Sequence, residues 1–320
     1  KGHCMDLASR MKSAIFAGIV GDALGVPVEH STRQELSLCA VKNLLGYGRY
    51  DQPEGTWSDD TSMVLCTMES LSRGYDLEDI AKVFCGWLFD GKWTATGYVF
   101  DSGLTTFMAL ERYRAGKEKA RQCGCRTDDD NGNGSLMRIL PAALCFHTAP
   151  IEPFLEAIHD ISAITHAHPR SKCACGVYSL LVRHLLTGRD KAEAYRAAVA
   201  DASDYYAARE AFAMEMAHFS RVLSGRIPEL SEDDISSSGY VVDTLEAALW
   251  CFLRFGNTKD VLLAAVNLGL DTDTTGMVAG GLAGTCYGLG DLPEAWLESV
   301  ARKAEIDQVV ESFVASVGSR

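Results

Sequence analysis

The sequence has no surplus of basic residues: 30 Lys and Arg stand against 43 Asp and Glu, a formal net charge of −13. A surface of that sign argues against nucleic acid or an anionic membrane as partner. It leaves open a small anionic ligand received by local cations or backbone amides. CxxC pairs are missing and no histidine stands at zinc-finger spacing, so a zinc site is not expected. The 11 cysteines are an odd number, scattered through apolar stretches as at Cys66, Cys85, Cys251 and Cys286. Cys123/Cys125 and Cys173/Cys175 are the short-spaced pairs. With no disulfide framework legible, reduced thiols in a cytoplasmic protein are expected. A bilayer span needs about 20 apolar residues. The apolar run from Met277 to Leu289 in the C-terminal third is too short and too glycine-rich for that, and no signal peptide is visible. The start, Lys1-Gly2-His3-Cys4-Met5, has no Met at position 1; residues 1–5 are expected to be a remnant outside the fold, with a single domain over 6–320.

Alternating, strand-like stretches are also scarce, Tyr240-Val241-Val242 being one weak case, and there are 8 prolines in 320 residues. What is there is helical periodicity. Apolar residues recur at helical spacing over Asp6–Leu24, Leu77–Phe89, Ser102–Arg114, Pro153–Thr165, Cys173–Leu186, Lys191–Ala200 and Tyr205–Leu223. The series continues with Thr244–Phe255, Thr258–Leu268, Thr274–Leu289 and Pro293–Val317, the last long enough for two helices. The polar stretches Ala115–Gly134 and Gly225–Gly239 are brief and read as loops inside one domain. A 47% hydrophobic composition supplies a large core. The expected class is all-α, a compact single domain of many helices.

Four polar clusters interrupt this pattern. Gly21-Asp22-Ala23-Leu24-Gly25-Val26-Pro27-Val28-Glu29 carries a carboxylate on an apolar, glycine-punctuated helix, readable as a buried hydrogen-bond anchor. Glu29 lies beyond Pro27, outside the helix, as a solvated loop residue or a ligand-facing one. Ser58-Asp59-Asp60-Thr61 opens an apolar helix. It reads as a Ser58 N-cap with acids complementing the macrodipole, or as a set of oxygen ligands. In Asn131-Gly132-Asn133-Gly134-Ser135-Leu136-Met137-Arg138 a glycine-rich loop leads into a helix capped by Ser135. Such free amides suit a phosphate, though an ordinary turn has the same look. In Asn267-Leu268-Gly269-Leu270-Asp271-Thr272-Asp273-Thr274 two carboxylates stand two residues apart, as caps or as ligands converging at an irregular helix entry. Gly276, Gly280, Gly284 and Gly288 follow at every fourth position. Each interior glycine costs about 0.5–1 kcal/mol against alanine, so the helix is expected to press its bare stripe on a neighbour. Asp101 before Ser102-Gly103 reads as a cap or a site acid. His166 and His168, before Pro169, read as capping groups at a helix end.

Should the entries at Asp59-Asp60 and Asp271-Asp273 meet, each pair of anions at 4 Å would repel by about 4 kcal/mol at an effective dielectric near 20. Such a cluster needs cations, and oxygen-only ligands favour Mg²⁺ or Mn²⁺.

Taken in order, the clusters resemble the ADP-ribosylglycohydrolase family, the enzymes similar to dinitrogenase reductase-activating glycohydrolase. The matching pieces are Gly21-Asp22-Ala23-x-Gly25-x-Pro27-x-Glu29, Ser58-Asp59-Asp60-Thr61, Asp101-x-Gly103, Gly132-Asn133-Gly134-x-x-Met137-Arg138, Thr165-His166 and Asn267-Leu268-Gly269-x-Asp271-x-Asp273-Thr274. The resemblance implies a compact orthogonal multi-helix fold and two Mg²⁺ (or Mn²⁺). One ion set would be Ser58, Asp59 and Asp60, the other Asp271, Asp273 and Thr274. It implies hydrolysis of the bond between C1″ of ADP-ribose and a protein side chain, usually arginine, which departs protonated. In that scheme Asp101 orients or activates the attacking group, Glu29 is a mobile ligand or gate, and Asp60 takes part in catalysis. Asn133, Gly134, Ser135 and Met137 would line the pyrophosphate loop and His166 the ADP-ribose site. The expected partner is an ADP-ribosylated protein or an ADP-ribosyl small molecule, and the expected state a monomer. Two departures are Ser58, where threonine is commoner, and Leu270, where a small or polar residue is commoner and a bulky one could narrow the site. The competing readings are a non-catalytic ADP-ribose-binding or structural member, and a hydrolase of another ADP-ribosyl linkage (serine, nucleic-acid base or free metabolite).

Overall fold

The computed structural model describes residues 5–319; residues 1–4 of the expected N-terminal remnant lie outside the described residues. Met5 sits on the fold, where its Sδ accepts a weak bond from the Ser13 hydroxyl at 3.8 Å. The described residues form helices and turns and no strand, with three isolated β-bridges, at Tyr47–Gln52, Cys125–His166 and Gly132–Tyr240. The helices are α1 Leu7–Gly25, α2 Arg33–Leu38, α3 Asp59–Arg73, α4 Leu77–Asp90, α5 Leu104–Arg114 and α6 Leu140–Cys145. They continue as α7 Ile151–Ala163, α8 Pro169–Leu186, α9 Lys191–Ala207, α10 Glu210–Ala213 and α11 Ser220–Leu223. The last are α12 Val241–Arg254, α13 Thr258–Asn267, α14 Thr272–Tyr287, α15 Glu294–Glu298 and α16 Lys303–Gly318.

Local chemistry sets many of the boundaries. Asp6 caps α1 by accepting from the Ser9 amide at 2.7 Å, Asp76 caps α4, Asp190 caps α9 and Asn257 caps α13. Gly91 ends α4 in the left-handed conformation at φ 73°, where a side chain would be strained.

The centre of the molecule is the pair α1 and α14. Their glycine stripes face each other, as the four-residue repeat in α14 leads one to expect. A Cβ on Gly276 would fall 2.4 Å from the Gly21 carbonyl oxygen, and one on Gly280 2.4 Å from that of Ala17. One on Gly284 would fall 2.1 Å from that of Ser13. Backbone therefore lies on backbone along several turns. Leu7–Val28 is long and apolar enough to cross a bilayer by composition alone, a stretch that the sequence reading passed over. Of its most apolar window 83% is buried inside the protein, which makes it a core helix.

Two expectations are corrected. Tyr205–Leu223 is not one helix: α9 runs on to Ala207, after which α10, a 3₁₀ stretch over Met214–Phe219 and α11 follow as separate pieces. Arg209 breaks the run. It is extended, stacks its guanidinium 3.6 Å over the Tyr205 ring and pairs with Glu152 at 2.6 Å. Tyr240-Val241-Val242 is no strand: Val241 and Val242 begin α12, and Tyr240 contributes a single bridge to Gly132. The long final pattern does divide, into α15 and α16.

Candidate active site

The C-terminal end of α1 and the N-terminal end of α14 touch, and this contact builds the site. A Cβ on Gly25 would lie 2.3 Å from the Asp273 amide nitrogen, and the Thr272 hydroxyl donates to the Gly25 carbonyl at 2.7 Å. Asp22, one turn back on α1 and fully buried, turns the other way, toward the start of α3. Its carboxylate accepts from the Ser58 amide at 3.0 Å, the Thr61 amide at 3.0 Å and the Thr61 hydroxyl at 2.6 Å. Asp22 is thus the hydrogen-bond anchor its context suggested.

With both helix entries pinned to α1, the two acidic clusters meet. Asp60 Oδ2 accepts from the Ser58 hydroxyl and, across from the other cluster, from the Thr274 hydroxyl, each at 3.2 Å. Ser58 also caps α3 through the Asp60 amide at 3.3 Å, so cap and cluster coexist. Asp271 heads α14 without capping it by its side chain. Its Oδ2 accepts instead from the Asn133 carboxamide at 2.8 Å, which also donates to Thr244 at 2.9 Å. Asp273 Oδ1 accepts from the Thr274 amide at 2.9 Å.

These groups line a cleft of about 290 Å³ with Glu29, Asp59, Asp60, Asp101, Asp271, Asp273 and Thr274 on its acidic side. Asn133, Gly134, Met137 and His166 line the rest of it. Ser58 lies just beneath the lining, 2% exposed. The start of α5 adds Gly103 to Thr106, of which the sequence signalled Gly103 alone. Asp101 does not cap that helix, since Gly103 holds the cap position without a side-chain bond. One oxygen each of Glu29, Asp101 and Asp273 lie within 4.8 Å of one another.

Glu29 is buried rather than solvated, and accepts a very short bond from the Tyr50 hydroxyl. Sequence reasoning missed Tyr50; it lies in a glycine-rich turn between the first two clusters that carries no motif of its own. His166 is 2% exposed, with Nδ1 2.8 Å from the Thr165 hydroxyl. His168 caps the start of α8, not the end of a helix, by accepting from the Arg170 amide at 3.1 Å.

Ser135 departs from expectation. Its hydroxyl neither caps a helix nor lines the cleft but points inward, accepting from Ser162 at 2.9 Å beside the Cys175 sulfur. What the loop offers the cleft is main chain at Gly134, whose amide has no acceptor among the described residues, while Ser135 is fully buried. Leu270 also stays out of the cleft lining and is 41% exposed. It adopts φ 60° while its main chain pairs with His30 and Ser31 at 2.7 Å. That left-handed backbone, more than space in the cleft, is what favours a small residue at this position.

Burial and mutual repulsion act on the carboxyls together. Asp59, Asp60 and Asp273 are pushed well above the usual carboxylate range, by burial first and neighbouring carboxylates second. Burial lifts Glu29 to about 8 and Asp22 to about 6, and raises Asp101. His166 goes the other way, to about 3, through burial and then the Arg138 charge. Among the described residues Asp60 Oδ1 is buried with no hydrogen-bond partner. A buried orphan oxygen inside a ring of hard oxygen donors fits a divalent cation of the Mg²⁺ or Mn²⁺ kind.

The family model described as ADP-ribosylglycohydrolase matches residues 3–320. The chain is 31% identical over 309 residues to the ADP-ribosylarginine hydrolase Tri1 of Serratia proteamaculans (strain 568), an alignment spanning 95% of this chain and 78% of that one. It is 33% identical over 312 residues to the ADP-ribosyl-(dinitrogen reductase) glycohydrolase of Rhodospirillum rubrum, spanning 95% of each. A solved structure described as an ADP-ribosylglycohydrolase-related protein complex superposes with a TM-score of 0.78 at 30% identity, covering 98% of this chain and 99% of that chain.

Proposed function

The chain belongs to the ADP-ribosylglycohydrolase family, and from that premise we propose that it hydrolyses the N-glycosidic bond joining ADP-ribose to an arginine side chain of a protein, with divalent cations in its acidic cluster. The observation that carries the reading is the junction of the two acidic helix entries at one cleft, beside the unpaired Gly134 amide. The arginine linkage is drawn from the named activity of the Serratia relative.

The residues that would hold the cations are Ser58, Asp59, Asp60, Asp271, Asp273 and Thr274, with Glu29 at the rim. When bound, such ions supply positive charge that offsets the carboxylates and polarises oxygen ligands. The chain's own residues do the rest. Asn133 orients Asp271, and the Gly134 amide on the loop receives the pyrophosphate. Asp101 takes the proton shed by the attacking water as its oxygen bonds to C1″. The C1″–N bond breaks with its electron pair on nitrogen, and the proton ends on the departing guanidine. The carboxylates around the ribose also favour the positive charge of an oxocarbenium-like transition state. Tyr50 holds Glu29 toward the cleft.

The test is release of free ADP-ribose from a protein mono-ADP-ribosylated on arginine. Release with Mg²⁺ or Mn²⁺, abolished by EDTA and lowered at least about 100-fold in Asp271→Ala, is the expected result. Release from a serine-linked, nucleobase-linked or metabolite substrate but not from arginine would overturn the linkage. Binding of ADP-ribose with no turnover on any of them would make the chain a binding protein.

A further inference from the structure

Behind the cleft wall lies a chain of hydrogen bonds that the proposed reaction does not use. Arg138 is fully buried, yet no carboxylate pairs with it among the described residues. Its Nη1 donates to the Ile161 carbonyl at 3.1 Å, its Nη2 donates to the Thr165 hydroxyl at 2.7 Å, and its guanidinium lies 4.7 Å over the Phe84 ring. The Thr165 oxygen in turn lies 2.8 Å from His166 Nδ1. We propose that Arg138 and Thr165 fix His166 in the tautomer that carries its proton on Nε2, so that the ring offers the cleft a hydrogen-bond donor and never a base.

The argument is one of donor and acceptor counting. A guanidinium only donates, so Arg138 occupies one lone pair of the Thr165 oxygen. If Nδ1 carried a proton it would take the second lone pair. The Thr165 hydroxyl proton would then face no acceptor, at a residue that is 0% exposed and has no further side-chain bond among the described residues. Buried hydroxyls are rarely left so. With the Thr165 proton directed at Nδ1 instead, the hydroxyl donates one bond and accepts one and Nδ1 is paired, while Arg138 Nε lacks a partner in either arrangement. The ring's proton is then on Nε2.

The geometry sends that proton to the cleft. A Cβ on Gly134 would fall 2.8 Å from His166 Cε1 and 3.3 Å from Nε2, so the imidazole lies directly against the loop. Nε2 has no partner among the described residues. A protonated ring is disfavoured by burial first and then by the Arg138 charge behind it. Asp130, the carboxylate that would favour one, is held by the Thr127 amide and hydroxyl at 2.8 and 2.6 Å. Nε2–H therefore joins the Gly134 amide as a second donor, with a buried cation behind it. Such a wall suits a phosphate oxygen. That this oxygen belongs to ADP-ribose rests on the function proposed above; the tautomer does not.

The test reads the tautomer directly. Long-range ¹H–¹⁵N correlation on the full-length protein, with His166 assigned by its loss in His166→Gln, is expected to show a bare Nδ1 and a protonated Nε2. The pattern should hold from about pH 5 to about pH 8, where an ordinary histidine titrates. A proton on Nδ1, or titration within that range, overturns the proposal. Thr165→Val, which keeps the shape and removes the hydroxyl, should mix the tautomers and weaken binding of free ADP-ribose about 10-fold. Thr165→Ser should restore both readings. An unchanged tautomer in Thr165→Val would remove Thr165 and Arg138 as positioning residues. A wild-type protein with the expected tautomer but no affinity for ADP-ribose would overturn the ligand assignment and leave the lock standing.

Discussion

Asp22 lines no part of the cleft, yet the cleft depends on it. Its carboxylate meets two amides and a hydroxyl at the head of α3, and so fixes where Asp59 and Asp60 stand relative to α1. Partners that orient ligands from behind typically change metal affinity by about 10- to 100-fold when removed. Asp22→Ala should therefore raise the Mg²⁺ or Mn²⁺ concentration for half-saturation by that factor. It should also cost about 2–4 kcal/mol of stability through the buried donors it orphans. Asp22→Asn keeps one acceptor oxygen where three of the bonds converge and should lose less than half as much. Calorimetric titration with Mn²⁺ and chemical denaturation measure the two effects; an Asp22→Ala protein with unchanged metal affinity would end the anchoring role. The same residue marks how far a sequence can be read. That Asp22 is a buried anchor was legible from one carboxylate on an apolar helix. What it anchors was not, because Ser58 and Thr61 are 36 and 39 residues away. Tyr50 and the inward-facing Ser135 were illegible for the same reason: their partners are set by packing and not by any local pattern.

At the scale of the element, periodicity was the reliable signal and its failures have physical causes. The helical spacing located α1, α4, α8 and α13 to within a few residues: α4 and α13 bury one face, while α1 and α8 are long apolar stretches buried nearly all round. It failed at Ala208–Arg209, where a cation stacked on Tyr205 and paired with Glu152 outweighs good local helix formers. It failed at Tyr240 because burial of Val241 and Val242 in the first turn of α12 overrides the strand preference of β-branched residues. The glycine stripe of α14 was read correctly, and it yields a prediction with opposite signs at two sites. Alanine gains about 0.5–1 kcal/mol over glycine inside a helix. At Gly280 that gain meets a carbonyl oxygen 2.4 Å from the new Cβ, and overpacking of this kind costs about 1–3 kcal/mol or more. At Gly86 in α4 the nearest group is the Lys92 side chain at 3.7 Å, so the gain is realised. Gly280→Ala should lower the melting temperature and weaken metal binding, since α14 carries Asp273, while Gly86→Ala should raise the melting temperature slightly. A neutral or stabilising Gly280→Ala in thermal melts would show that α1 and α14 are not in backbone contact.

At the scale of the whole molecule, the acidic cluster couples stability to pH and to divalent cations together. The unfolded carboxyls titrate near 4 and the unfolded histidines near 6.5, by about one unit either way. In the folded chain Asp22 lies at about 6, Glu29 at about 8, and Asp59, Asp60 and Asp273 well above their usual range. A carboxyl whose folded value is raised binds more protons folded than unfolded, so its contribution is complete below the unfolded value. It is lost as pH rises through the folded one. His159 and His166, both held down to about 3 by burial first, act oppositely. They remain neutral in the fold while the unfolded chain protonates, so they remove stability as pH falls from about 6.5 toward about 3. The two effects compete in mild acid. Above about pH 7.5 the unfolded histidines are neutral and the raised carboxyls act, joined toward pH 8.5 by buried thiols such as Cys123 and Cys175, held up by burial while their unfolded counterparts begin to ionise. In EDTA the melting temperature should therefore fall by several degrees between about pH 7.5 and about pH 8.5. A cation that binds only the folded cluster adds about 2.7 kcal/mol at a hundred times its dissociation constant, and it holds the carboxylates ionised. Saturating Mg²⁺ or Mn²⁺ should flatten the decline, so the stabilisation by metal grows with pH. Thermal melts across that window, with and without metal and beside Asp271→Ala, measure it. A melting temperature in EDTA that rises with pH over this window would mean that Asp59, Asp60, Asp273 and Glu29 do not share one buried site.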